Sequence, residues 1–120
     1  MYIFILILRI IFGAFFCYAG FMHFKKPQFY KNFIPNFLPK KLINIVFGII
    51  ELILGLGMFF TITLKHASLG ILILLIIFLP IHIWDLTKEQ PAIGSKKSAI
   101  IRILVQFILM YGIYFVYIHL

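Results

Sequence analysis

The chain has 120 residues, 64% of them hydrophobic and 18% aromatic, with only 12% charged and a mean hydropathy of +1.15. A soluble domain carries about 25% charged residues, and a disordered chain is poor in apolar and aromatic ones. Both classes are excluded, and an integral membrane protein is expected. The net charge of +8 does not indicate nucleic acid, because the basic residues sit between apolar runs, where lipid head groups meet them. The one cysteine, Cys17, allows no internal disulfide and no redox pair. Bulky Phe15 and Phe16 precede it, so it is taken as a packing residue and not a lipid attachment point.

Crossing about 30 Å of hydrocarbon takes about 20 apolar residues in a helix. The first such run spans 2–24, broken only by Arg9. It is too long for a signal-peptide core and lacks a small-residue cleavage site, so it is expected as a retained helix. Segment 25–41 holds Pro27, Pro35 and Pro39, which forbid one continuous helix. Its aromatic residues recur every three to four positions between lysines, which predicts an interfacial loop. Phe29, Tyr30 and Phe33 serve there either as membrane-surface anchors or as the lid of a pocket. In the lid form they are expected to be mostly buried, with Pro35 and Pro39 at turns.

The second helix is expected over 42–61, a tight connection over 62–66, and the third helix over 67–84 with Trp84 as an interfacial anchor. The polar stretch 85–97 contains Pro91 and Gly94 and is a loop, and Ser98 can cap a fourth helix over 98–118. Tyr111, Tyr114 and Tyr117 form a stripe on that helix, a pattern of packing or interface. The predicted fold is all-α, a single antiparallel four-helix membrane bundle with both termini on one side. The two long connections carry Lys25, Lys26, Lys31, Lys40, Lys41, Lys88, Lys96 and Lys97, against Lys65 alone on the other side. Positive-inside bias then puts the long loops in the cytoplasm and the termini outside.

An ionisable group at mid-bilayer costs roughly 2.5–3.5 kcal/mol on insertion scales, so Arg9, Glu51 and Arg102 need explanation. Glu51 lies nine residues into the second helix, about 13 Å deep. Gly48 and Gly55 share its face and let another backbone come close. Glu51 therefore looks into the bundle, either as a protonated or arginine-paired lock or as a ligand anchor and proton-handling group. Arg102 is the first expected partner, with Gln106 one turn further along its face, and Arg9 the second; the alternative for Arg102 is snorkelling to the head groups. One carboxylate cannot neutralise both arginines, and the excess positive charge suits an anionic or carbonyl-bearing ligand. His23 and His82 end two helices on one side, with Asp85 one turn beyond His82. Neither His-x-x-His nor His-x-x-x-His spacing occurs, so no metal is expected.

The run Gly20-Phe-Met-His23-Phe24-Lys-Lys-Pro27-Gln-Phe-Tyr30, followed by Pro35-Asn-Phe-Leu38-Pro39, resembles the signature of the DoxX-like membrane proteins. The likeness extends through Gly48-Ile-Ile-Glu51, Gly55, Leu79-Pro80-Ile-His82-Ile83, Arg102 and Gln106. It departs at His82, where asparagine is more usual, and near Thr61, where no proline follows. The resemblance implies four transmembrane helices and a role beside a quinone-linked redox system, with a quinone as the implied cofactor. Distantly similar four-helix membrane proteins of the EXPERA group bind sterol-like ligands through buried carboxylates, which draws attention to Glu51.

Three functions compete at this stage. The first is a non-catalytic accessory subunit of a redox complex, with electrons carried by a partner because no haem, iron–sulfur or flavin motif is present. The second is a bundle that binds a lipid or hydrophobic small molecule through Glu51, with or without catalysis. The third is a proton-coupled exporter, ranked last because small multidrug-resistance transporters place their deep glutamate in the first helix, where this chain has Arg9. The partners expected are the bilayer, a redox protein or a hydrophobic molecule, with room for a homo-oligomer and no nucleic acid.

Overall fold

The computed structural model describes residues 1–120 as an all-helical chain of five helices without strands. Helix α1 spans Tyr2–Lys25. It stops because a residue before proline is driven out of the helical region, and Lys26 adopts φ −131°, ψ 65°. Pro27 then opens α2, Pro27–Lys31, at the first helical position, where its missing N–H costs nothing. Two turns follow, and the Pro35 carbonyl accepts from the Leu38 N–H at 3.1 Å. Pro39, extended at ψ 96°, is the N-cap of α3, Lys40–Gly57. The interfacial segment thus contains a fifth helix that the four-helix expectation omits.

Between α3 and α4, Thr61–Leu86, the chain turns at residues 58–60. Thr63 Oγ1 donates to the Gly57 carbonyl at 2.8 Å and ties the turn shut. The expected connection at 62–66 is corrected, since Lys65 and His66 lie in α4 with their side chains exposed. Pro80 is tolerated inside α4. The last helix, α5, spans Lys96–Ile118 and is capped by Ser95, whose hydroxyl oxygen accepts from the Ser98 N–H at 3.1 Å. The cap is therefore Ser95, not Ser98.

Helix α1 runs along α3 on glycine. A Cβ at Gly20 would stand 2.8 Å from the Gly48 carbonyl oxygen, and one at Gly55 2.7 Å from the Cys17 nitrogen. Helix α4 packs mainly on α5 and also on α3. Near the 58–60 turn the interior is apolar and closed, with Phe12, Met58, Leu64, Ile71, Ile113 and Val116 all buried. At the other end Lys88 Nζ donates to the Asn32 carbonyl, laying the two lysine-rich connections side by side. Helices α1, α4 and α5 are long and apolar enough to cross a membrane. Helix α3 is not among them, since its 18 residues include Lys40, Lys41 and Glu51.

Candidate functional site

The end that carries the long connections holds a cavity of about 390 Å³. Of its 19 lining residues 14 are hydrophobic, among them Phe15, Phe16, Ala19, Phe29, Phe33, Phe47, Leu75, Phe78, Ile81, Ile93 and Val105. The other five are His23, Asn44, Glu51, His82 and Arg102, and Tyr30, counted among the fourteen, adds a phenol hydroxyl. Every helix contributes, and α2 supplies Phe29 and Tyr30 as part of the wall.

Glu51 is buried and meets an unexpected partner. His23 Nε2 lies 2.7 Å from Glu51 Oε2, a close contact that lacks the aligned geometry of a linear hydrogen bond. His23 Nδ1 is 2.7 Å from Asn44 Oδ1, and Asn44 Nδ2 donates to the His23 carbonyl at 2.7 Å. Since the amide nitrogen is committed to that carbonyl, Asn44 Oδ1 must accept, and the proton of the neutral ring sits on Nδ1. Nε2 and Oε2 could not approach to 2.7 Å as two bare acceptors, so the pair holds one proton between them. This pairing has a local cause: a Cβ at Gly48 would fall 2.8 Å from the Cβ of His23. Only glycine there lets α1 come near enough to deliver the imidazole.

Arg102 lines the same cavity without an ion pair within 4.0 Å or a hydrogen bond to the chain. The expected Glu51–Arg102 pair is therefore corrected. Helical rise gives depth but not azimuth, and α1 reaches Glu51 first. Tyr30 stacks on the His23 ring, with centroids 3.8 Å apart and planes 15° from parallel. Burial, reinforced by the nearby Glu51 carboxylate, pushes the Tyr30 phenol up to about 12. His82 meets the Phe33 ring edge-on at 5.8 Å.

Two expected members of the polar network stand elsewhere. Arg9 Nε donates to the Met58 carbonyl at 3.2 Å, at the closed end, 14 residues and about 21 Å along α1 from His23. Gln106 Nε2 donates to the Leu75 carbonyl at 2.8 Å, and its Oε1 is buried without a partner. Pro35 and Pro39 shape the connection but do not line the cavity. Phe29, expected mostly buried, is 51% exposed, because α2 lies over the cavity mouth with one face outward. Asp85 is also committed: its carboxylate accepts from the Ala92 N–H at 2.7 Å and pairs with Lys88 at 3.3 Å. Asn44 is the member sequence reasoning missed. Its signal was the spacing 44, 48, 51, which puts it on the Glu51 face.

Residues 12–116 match the model of a family described as Domain of unknown function (DUF8561). The chain belongs to that family. The match spans every cavity group from His23 to Arg102. It also corrects the DoxX resemblance, since the family whose model matches is DUF8561 and not a DoxX family. With that correction the quinone-linked expectation loses the likeness that carried it. No curated protein and no solved structure matches this DUF8561 member.

Proposed function

We propose that the protein is a membrane-embedded binding protein for one small amphipathic molecule. The observation that carries this reading is the cavity: about 390 Å³, mostly apolar, with a few polar groups contributed by all five helices. Ligand sites are commonly clefts of roughly 300–1,000 Å³ with an apolar lining and a few placed polar groups. A bundle that needed only to hold together would fill that space with side chains, because close packing is the default of protein interiors.

The membrane setting rests on the outward-facing apolar surface. Ile3, Ile7, Ile73, Ile76, Leu104 and Ile108 are all at least 49% exposed, which suits lipid and not water. In this reading α1, α3, α4 and α5 cross the bilayer as an antiparallel bundle, and α2 lies in the interface. In the same reading the lysines at the connection end favour a cytoplasmic side for it, with the termini outside. The test is native mass spectrometry of the detergent-purified chain. One ligand mass per chain is expected on the wild type and none on Ala19→Trp, which projects a large ring into the cavity. A wild type without any adduct, or an adduct indifferent to Ala19→Trp, defeats the reading.

A further inference from the structure

We infer that the molecule held in the cavity is a long-chain carboxylate, with its head on Arg102 and its chain along the aromatic wall. The inference rests on the binding reading above and adds the ligand's chemical class. It follows from counting charge. Glu51 is the acidic side chain that lines the cavity, and it shares a single proton with His23 at 2.7 Å. Whichever of the two carries that proton, the pair sums to zero. Asp85 cannot help, since it is taken up by the Ala92 N–H and by Lys88. Arg102, half-buried in a mostly apolar lining, is therefore a cation with no ion-pair partner within 4.0 Å, and an anion joining it offsets the cost of that partial burial.

The anion's type follows from the donors. A guanidinium presents a planar fork that matches a carboxylate with two parallel N–H···O bonds. A phosphate monoester carries about −1.5 to −2 charges at neutral pH, more than one guanidinium can balance. Carboxylate against Arg102 closes the count at zero. The hydrophobic lining residues, Phe47 and Phe78 among them with ring centroids 5.2 Å apart, supply the surface for an alkyl chain.

The test uses the full chain in maltoside detergent and a fluorescent polyene fatty acid, compared with the alcohol, methyl ester and phosphate of the same chain. The acid is expected to bind about tenfold more tightly than each of the other three, the gain of about one charge-assisted contact. Arg102→Gln should bring the acid down to the level of the alcohol while the alcohol is unaffected, and Arg102→Lys should keep part of the preference. The wild-type comparison stands even if the Arg102→Gln chain fails to fold. Equal binding of acid and ester, abolished by Ala19→Trp, overturns the carboxylate and leaves the cavity reading intact. A phosphate that binds as well as the acid also overturns the carboxylate. No binding of any of the four overturns both.

Discussion

The two ends of this molecule are built on opposite plans. Around the 58–60 turn, Met58, Ile71, Ile113 and Val116 have no exposed surface at all, and the polar Arg9 is used only to hold the Met58 carbonyl. Toward the long connections the same helices part around a cavity, and six polar side chains gather there. The closed end is filled by buried apolar side chains, and the open end carries the cavity. Stability and binding are thus divided along the helix axis, with the glycine contact between α1 and α3 running through both halves.

The division can be broken most sharply at Glu51. Glu51→Leu strands the His23 imidazole, and removing one partner of a buried pair costs about 3–5 kcal/mol. Glu51→Gln should cost much less, because its amide can donate to Nε2. Thermal unfolding in detergent checks the order, and equal midpoints for Leu and wild type would contradict the pairing. Next in size is Ile71→Ala, expected to cost about 2 kcal/mol, the low end of buried Ile truncations, since lipid solvates apolar groups and only packing is lost. Ile81→Ala, on the cavity wall, should cost under about 1 kcal/mol, having fewer neighbours to lose. Equal costs at Ile71 and Ile81 would erase the distinction between the ends.

The smallest effect belongs to Tyr30. Its phenol is pushed from an ordinary value near 10 up to about 12, so the folded chain keeps a proton the unfolded chain releases. That contribution is fully present below pH 10 and fades as pH rises toward 12. A tyrosinate titration of wild type minus Tyr30→Phe should show a late midpoint near the raised value. A midpoint near 10 would detach Tyr30 from the His23 stack.

Helix composition and the inward face of Glu51 were legible because hydropathy and glycine spacing are local signals. The turn was not. Met58, Phe59 and Phe60 are as apolar as their neighbours, so no dip in hydropathy marks the break, whereas Lys65 and His66 look like loop residues while pointing outward from α4. The partner of Glu51 was hidden for a different reason. Which helix faces which depends on rotation, and the clue lay in Gly13 and Gly20 on α1, seven apart like Gly48 and Gly55 on α3. The prolines of 25–41 are visible in the sequence as breaks, but the short helix at Pro27 needs only five residues and leaves little periodicity to detect.

The hydrogen bond from Asn44 to the His23 carbonyl reaches further than its length suggests. A main-chain oxygen of α1 orients an amide on α3, and the amide decides which ring nitrogen of the same histidine is occupied. The imidazole therefore cannot change tautomer without also turning the amide away from α1. Its Nε2 is left to face Glu51, so the main chain of α1, through Asn44, sets which ring nitrogen meets the carboxyl.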